Sequence, residues 1–543
     1  MLTALVTQLQ EDLAFRRIDS GMRALEANRP ALAGLDPAQP GAAILVGCVA
    51  QWVDIGFDGP ELLRDLLGRF ATQCRARLPL LDYLHLRMAE GLLAMVEEEI
   101  EQATRHFQFV QSVEEEIRDT QLLAISNFWI GRCLRKEGRY DDALSYTIKG
   151  KTLALERGYA KMAAIMQVLE SWLLFQKGKL SEATTILHEA EAALSETDDF
   201  ISRGNIRSAY GRVARRQGRY DRALEHFESS LAEYKQRDPQ HLNLARALVN
   251  TAFVKRLIAL ELQNSIDEEL ARRRSGSLPE KAVETSRARR SQIERLRSEA
   301  VAQLSEALGI YVRHHNHRGI GSVHINYGYL YLDEGDLDHA SAEGAEAFRH
   351  GEEKRDYILM ARARTLQCMA ENARLEEQID EDTGPHAHLA HDFARDAVEY
   401  AQQTQNRRLL ARTLVWQGLT YSNDSRGDHD AARRCCDAAL ALLRPGGQSF
   451  WQDLETLKAK VRHSGQIDAS LQEWSEGQTG DKTFQQITEE FASIIIPRVW
   501  EREERKISRV AQKLSISPKK VRRVLDAAGL TGEKRQRVPV HSR

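Results

Sequence analysis

The sequence is poor in proline, in cysteine and in long apolar runs. Its 543 residues include 12 prolines and 34 glycines, and so few turn-forming residues favour long helices over many short strands. The six cysteines lie mostly inside apolar helical patterns and offer no disulfide framework. The longest apolar run, 42–50, is about half as long as a membrane-spanning helix, and the first residues lack the basic head and cleavage site of a secretory signal. We therefore expect an all-α, cytoplasmic protein that does not cross a membrane.

Basic and acidic residues nearly balance over the whole chain, but they are not evenly distributed. The chain has 76 Lys and Arg against 79 Asp and Glu. Residues 501–543 hold 13 of the basic and 5 of the acidic ones, a net charge of +8, which leaves −11 on residues 1–500. A basic end on an acidic body suits phosphate binding, because the body discourages unspecific collapse onto nucleic acid.

A small-residue pattern recurs along most of the chain with a step of forty residues. Its clearest copy is Gly131 followed by GRYDDA at 138–143, which recurs as Gly211 with GRYDRA at 218–223 and as Gly328 with GDLDHA at 335–340. A small residue at the start of the second helix of each unit lets two antiparallel helices approach closely. The register positions are Leu63, Ala103, Ala143, Ala183, Ala223, Ala300, Ala340 and, with less regular spacing, Ala390 and Ala432.

These residues resemble the tetratricopeptide repeat, in its longer form of about forty residues. The resemblance covers roughly 41–463, about eight units, and it implies an α-solenoid whose concave face binds an extended peptide or a helix of a protein partner. Two charged insertions interrupt the array, at about 263–296 and at 371–386, and we expect each to form helical extensions or mobile loops. Residues 1–40 are predicted to form an N-terminal helical cap.

The repeat pattern stops near His463, and a different pattern begins after a predicted linker at 464–482. An apolar-periodic helix from Phe484 is followed by ERKISRVAQKLSISPKKVRRVLDAAGL. In that stretch Ser515-Ile516-Ser517 makes a turn, and Pro518 occupies the first position of a new helix that Ser517 can cap. The apolar residues recur at helical spacing, as expected for two short helices that cross tightly.

Residues 483–531 resemble the C-terminal helix-turn-helix DNA-binding domain of the Fis type, found on bacterial enhancer-binding activators. The resemblance implies a homodimer formed through the helix that starts at Phe484, and a recognition helix in the major groove of DNA. Lys519, Arg522 and Arg523 are then expected to contact base edges. The residues expected to hold phosphates are Arg509, Lys513, Ser517 and Lys520. The basic tail 532–543 would add nonspecific phosphate contacts. The chain lacks the ATPase that precedes this domain in those activators, so ATP-driven remodelling is not implied.

Motifs for catalysis, metals or cofactors are weak. The segment 150–152, GKT, lacks the first glycine of a phosphate-binding loop, and the histidines at 314, 315 and 317 and at 386, 388 and 391 lack ligand partners at a recognised spacing. We therefore expect no enzyme, no metal and no cofactor. The sequence favours a bacterial DNA-binding transcriptional regulator with a sensing or docking array. The alternative is an interaction scaffold whose basic end binds protein or RNA.

Overall fold

The fold is described from a computed structural model, in which the chain divides into two compact units, Met1–Leu457 and Lys458–Arg543. The predicted basic tail and all of the predicted linker between 465 and 481 lie outside the described residues. The structure describes residues 2–117, 119–274, 281–377, 384–423, 428–443, 452–464, 482–503, 505–527 and 530.

The first unit is built from α-helices, and no strand occurs among its described residues. A short 3₁₀ turn, Glu114–Glu116, follows the eighth helix. The helices are α1 Leu2–Ala14, α2 Ile18–Ala27, α3 Arg29–Ala33, α4 Ala42–Ile55, α5 Pro60–Gly68, α6 Thr72–Arg75, α7 Leu80–Val96, α8 Ile100–Ser112, α9 Thr120–Glu137, α10 Tyr140–Glu156, α11 Ala160–Gln176, α12 Leu180–Leu194, α13 Phe200–Arg216, α14 Tyr220–Arg237, α15 Leu242–Arg274, α16 Lys281–Arg313, α17 His317–Glu334, α18 Leu337–Glu353, α19 Tyr357–Glu377, α20 Gly384–Gln402, α21 Arg407–Asn423, α22 His429–Leu442 and α23 Gln452–Ser464, which contains the boundary between the units.

From α7 onward the helices pack as a curved array of pairs. From α7 to α22 each helix contacts the next one along the chain, and each odd-numbered helix from α7 to α21 also contacts the next odd-numbered one. Because the odd-numbered helices approach one another, they lie on the inner side of the curve, as in helical repeat arrays. We call α7, α9, α11, α13, α15, α17, α19 and α21 the inner helices, and the even-numbered helices α8 to α22 the outer helices.

The residues that mark the forty-residue step lie where the helices of a pair touch. All nine register positions, from Leu63 to Ala432, are at most 1% exposed. Glycine permits a similar approach one helix earlier, since a Cβ at Gly211 would lie 2.7 Å from the ring of Phe227. At the turn between the helices, Gly138 ends α9 with a φ of +82°, a conformation that favours glycine. The all-α prediction is confirmed, and small residues set the spacing of the pairs.

Loops of early repeats contact the first turns of late repeats, and we call this contact zone the seam. The Glu98 carboxylate, between α7 and α8, accepts hydrogen bonds from the His317 backbone at 2.9 Å and from Asn316 Nδ2 at 2.8 Å, at the start of α17. The Gln405 backbone, before α21, donates to the Gly138 carbonyl at 2.9 Å. The array therefore curves back on itself, and the inner helices from α9 to α21 face a common interior.

The two charged insertions lengthen helices of the array. α15 and α16 have 33 residues each, and their extensions pack around Ala259, Ile266, Ile293 and Leu296. Residues 275–280, between the two helices, lie outside the described residues, as do 378–383 between α19 and α20. In the described part, both insertions continue the helices that flank them.

In the described part of the second unit, three helices follow α23: α24 Phe484–Arg502, α25 Ile507–Lys513 and α26 Pro518–Ala527. Thr483 caps α24 through a reciprocal pair of hydrogen bonds with Gln486. The helices share a small core of Ala492, Ile496, Val510, Ala511, Val521, Val524 and Leu525. None of the helices in the described part of the chain is long and apolar enough to span a membrane.

Candidate functional sites

Five arginines on the inner helices form a cationic surface in the interior of the array. Four of them are half-buried, and Arg246 is exposed. No carboxylate of the described residues lies within ion-pair distance of any of the five. We call them the inner-wall arginines: Arg135 on α9, Arg212 and Arg215 on α13, Arg246 on α15 and Arg362 on α19.

Neutral groups hold three of these guanidinium groups in place. Arg135 stacks over the ring of Trp172 with its Cζ 5.0 Å from the centroid, and Arg215 stacks over Phe253 at the same distance. Arg212 Nη1 donates to the Ser208 hydroxyl at 3.0 Å, and Arg215 Nη1 donates to the side-chain oxygen of Asn250 at 3.1 Å. These contacts orient the guanidinium groups without neutralising their charge.

The inner-wall arginines also repel one another. Burial lowers the pKa of Arg212 to about 10, with a further contribution from Arg246 and Arg215. Burial likewise lowers the pKa of Arg215 to about 10, and Arg362 adds to the effect. The pKa of Arg135 lies well below its usual value because of burial and the charges of Arg246 and others nearby. The interior is thus a place where positive charge accumulates and anions are favoured.

The sequence analysis did not predict this surface, although two pairs of its arginine positions recur in the repeat pattern. Arginines follow the repeat glycine at the first and fourth positions after Gly131, as Arg132 and Arg135, and again after Gly211, as Arg212 and Arg215. Helical periodicity places residues at such positions near one face of a helix. Recognising the surface also requires Arg246 and Arg362, which lie on helices without that pattern.

Two of the histidines considered as metal ligands in the sequence, His317 and His386, have structural partners. His317 Nε2 lies 3.5 Å from an Asp356 oxygen, and its Nδ1 contacts Glu98, so carboxylates distant in the sequence hold this ring. His386 Nδ1 lies 2.7 Å from Glu371. A different group, His324, Glu346 and His350, brings potential ligand atoms within 4.8 Å of one another. There Arg349 Nη2 lies 2.5 Å from Glu346 and 3.1 Å from His350 Nε2, so a guanidinium group occupies the ligand atoms.

The seven predicted DNA contacts lie on one part of the second unit. Arg509 and Lys513 belong to α25, Ser517 precedes α26, and the other four belong to α26. All are exposed except Lys520, which is half-buried. The Ser517 hydroxyl accepts from the Lys520 backbone at 3.2 Å and caps α26.

Two of these cations already have carboxylate partners. Lys513 Nζ lies 2.5 Å from Glu503, and Arg523 Nη2 lies 3.1 Å from Glu489. The pair of Arg523 and Glu489 is largely exposed and therefore costs little to open, whereas Glu503 is only 20% exposed.

Comparison with known proteins identifies the repeat and the fold. Residues 202–259 match the tetratricopeptide repeat model, and no curated protein sequence matches the chain. Among solved structures, the chain is similar to a Rap protein complexed with Competence and Sporulation Factor, at 12% identity over 74% of this chain and 99% of that one, with a TM-score of 0.51. It is also similar to the apo form of the quorum sensor NprR from B. thuringiensis, at 12% identity over 72% of this chain and 98% of that one, with a TM-score of 0.47. The 58 residues matched by the repeat model and the likeness to the Rap protein give one conclusion: 202–259 are tetratricopeptide repeats, and the first unit is a tetratricopeptide-like solenoid.

Proposed function

We propose that the protein is a bacterial DNA-binding transcriptional regulator in which the solenoid docks a peptide or protein partner and the second unit binds operator DNA. The observation that carries the proposal is that the second unit, in its described part, places exposed cations on α25 and α26. Partner occupancy of the solenoid would then change the availability of the DNA-binding unit. The Rap protein of the same fold, complexed with Competence and Sporulation Factor, is consistent with a docking role for the solenoid.

The seven residues would contact two different parts of the DNA, the bases and the phosphates. Lys519, Arg522 and Arg523 would donate to base edges, because Arg and Lys pair with the acceptors of guanine in the major groove. Arg509, Lys513, Ser517 and Lys520 would hold phosphates. Glu489 would release Arg523 on binding, since this pair is exposed and contributes little to stability.

The second unit would act as a homodimer through α24. Phe484 is 85% exposed and Phe491 is 46% exposed, and residues seven apart lie near the same face of a helix. A second copy would cover this apolar face, and the two recognition helices would then meet half-sites about one helical turn apart. Phe491→Glu should give a monomer by analytical ultracentrifugation and weaken operator binding.

The proposal is tested by binding of the whole protein to genomic fragments over a range of salt concentrations. Discrete sites should persist at physiological salt and disappear in the triple variant Lys519→Ala/Arg522→Ala/Arg523→Ala. The salt series separates phosphate attraction from base readout. A matched control removes three exposed arginines from outer helices, Arg105→Ala/Arg222→Ala/Arg395→Ala, and should bind like the original protein. Uniform, salt-sensitive binding without preferred sites contradicts the regulator proposal.

The second candidate is an interaction scaffold whose basic unit binds an acidic protein or structured RNA. The ion pairs of Lys513 with Glu503 and of Arg523 with Glu489 favour it, because they show that carboxylates already fit this surface. This candidate predicts weak DNA affinity without sequence preference, and a partner that competes with DNA for α26.

A further inference from the structure

We infer that the inner wall of the solenoid binds an extended acidic peptide, whose carboxylates pair with the inner-wall arginines. This inference rests on the proposed docking role of the solenoid and specifies the chemistry of the partner. It names an interior surface that is separate from the cations of α25 and α26.

The arrangement of the arginines favours an extended ligand over a compact anion. They are distributed over four inner helices, α9, α13, α15 and α19, instead of converging from one loop. Their mutual repulsion runs in a series from Arg135 to Arg246, from Arg246 to Arg212, and from Arg215 to Arg362. A ligand with several separated negative groups can meet this series, whereas a single phosphate meets part of it.

The guanidinium groups retain donors for such a ligand. Arg135 Nε is buried and has no hydrogen-bond partner, which is costly unless a ligand supplies an acceptor. Arg212 and Arg215 each donate one hydrogen bond to a neutral oxygen, although a guanidinium group carries five N–H donors in a planar fork that matches a carboxylate. The rings of Trp172 and Phe253, already stacked on two of these arginines, offer apolar contacts between the charged ones.

Several other cations on the inner helices, unlike these five, have carboxylate partners. Arg256 forms a bidentate pair with Asp333 at 2.6 and 2.7 Å, and Arg318 pairs with Asp356. Arg132 Nη1 lies 3.2 Å from Asp54. Lys136 Nζ lies 4.0 Å from Glu98. The solenoid thus neutralises these cations with its own carboxylates, whereas the inner-wall arginines have no carboxylate of the described residues within ion-pair distance and can pair with an incoming anion.

The overall charge of the body favours a peptide over a nucleic acid. Residues 1–500 carry a net charge of −11 even though the interior is cationic, so acidic groups dominate the rest of this part of the chain. A long polyanion that extends beyond the interior meets repulsion there, whereas a short acidic peptide can place all of its charges against the inner wall. An acidic peptide can also bind through its charges alone, whereas a single-stranded nucleic acid would also need aromatic side chains on which its bases stack.

The test is fluorescence-anisotropy binding of the full-length protein to a labelled short peptide in which glutamate alternates with leucine. Two matched peptides carry glutamine or lysine in place of glutamate, and tripolyphosphate and a short oligouridylate serve as competitors. The variant is Arg135→Gln/Arg212→Gln/Arg246→Gln. The control, Arg105→Gln/Arg222→Gln/Arg395→Gln, removes the same charge from outer helices α8, α14 and α20.

The acidic peptide should bind at least about tenfold more tightly than the glutamine peptide, and the inner-wall variant should lose at least about tenfold in affinity while the control variant keeps it. The peptide should also raise the thermal midpoint of the original protein and of the control, but not of the inner-wall variant, by mass action. Thermal midpoints of the unliganded variants show that a loss of binding is not a loss of folding.

The other outcomes overturn different statements. Tighter binding of the glutamine or lysine peptide overturns the acidic assignment and leaves the docking role of the solenoid intact. Preferential binding of oligouridylate or tripolyphosphate assigns the wall to a phosphate ligand and overturns the peptide. If none of the three peptides binds, the docking role itself fails, whereas DNA binding by the second unit is measured independently.

Discussion

The seam and the inner wall both place cations in the interior of the array, but they differ in the partners of those cations. At the seam, His317 contacts the Glu98 carboxylate, and Arg318 donates to the Lys136 carbonyl of an early repeat while it pairs with Asp356, just before α19. Burial would raise the pKa of Asp356, but the charges of Arg318 and His317 hold it well below its usual value. On the inner wall, Arg212 has only a hydroxyl as its partner, and burial lowers its pKa to about 10. The fold supplies carboxylates where distant repeats meet, whereas none of the described carboxylates lies within ion-pair distance of the inner-wall arginines.

This difference predicts opposite signs for mutations. Removing a carboxylate from the seam takes a charged partner away from Arg318 or His317, so the solenoid should lose stability. Removing a cation from the inner wall relieves repulsion, so the unliganded solenoid should keep or gain stability. Natural proteins retain such unfavourable groups at functional sites.

The largest effect is expected for Asp356→Asn. Asp356 is 3% exposed and also accepts from the Leu359 backbone at 3.1 Å. Its loss should lower the free energy of unfolding by about 3–5 kcal/mol, measured by urea unfolding followed by circular dichroism. Asp338→Asn is the control, because Asp338 is 92% exposed in its pair with Arg374, and should cost less than about 1 kcal/mol. Equal midpoints for the two variants would show that the seam does not hold the array together.

A second test compares packing instead of charge, with one substitution on an inner and on an outer helix. Gly211→Ala should destabilise the protein by about 1–3 kcal/mol, because its Cβ would lie 2.7 Å from the Phe227 ring. Gly309→Ala, inside α16 with nothing within 4 Å of its Cβ, should stabilise it by about 0.5–1 kcal/mol. Thermal unfolding of both variants measures the expected loss of stability in Gly211→Ala and the expected gain in Gly309→Ala. A gain of stability in Gly211→Ala would contradict the close approach of α13 and α14.

A smaller effect of positive sign is expected for the unliganded variant Arg135→Gln/Arg212→Gln/Arg246→Gln. Relief of repulsion should raise its stability by about 1 kcal/mol, again measured by urea unfolding. The outer-helix control, Arg105→Gln/Arg222→Gln/Arg395→Gln, should stay within about 0.5 kcal/mol of the original protein. A clear loss of stability in the inner-wall variant would mean that these arginines are structural.

The smallest effect is the pH dependence of the seam. Burial opposes the charged form of His317, but its hydrogen bonds with Asp356 and Glu98 outweigh this and raise the His317 pKa above 6.5. A raised pKa in the folded state stabilises the protein below pH 6.5, and this contribution is lost as the pH rises through the His317 pKa. Stability should therefore decline as the pH rises above 6.5 and through the raised His317 pKa.

The variant His317→Gln should lack this decline. His339→Gln is its matched control, because His339 is 67% exposed on an outer helix, and should retain it. Identical pH profiles for the two variants would assign the slope to other groups.

Much of the fold was predictable because its determinants are local. Ala143, Ala183 and Ala223 mark a regular step, and each is fully buried between two helices. Helix ends follow the same logic, since Gly138 ends α9 and Pro518 begins α26. The roles of the seven residues around α26 remain predictions, because their exposure leaves open what they bind.

The candidate site in the solenoid was not predictable to the same extent. Arg132 and Arg135 repeat as Arg212 and Arg215, which sequence alone can reveal. Nothing in the sequence distinguishes Arg212, whose partner is a hydroxyl, from Arg256, which pairs with Asp333. That difference depends on which carboxylates lie nearby in three dimensions.

By itself, the sequence determined the all-α class, the forty-residue pairing of helices and the concentration of positive charge at the C-terminal end. Only the tertiary structure decided that Glu98 meets His317, 219 residues away, and that arginines from four helices share one interior. The physical reason is that helix pairs follow from local periodicity, whereas contacts between distant repeats depend on curvature that accumulates over many small rotations. The same accumulated curvature brings the inner-wall arginines, which are far apart in the sequence, to one interior surface.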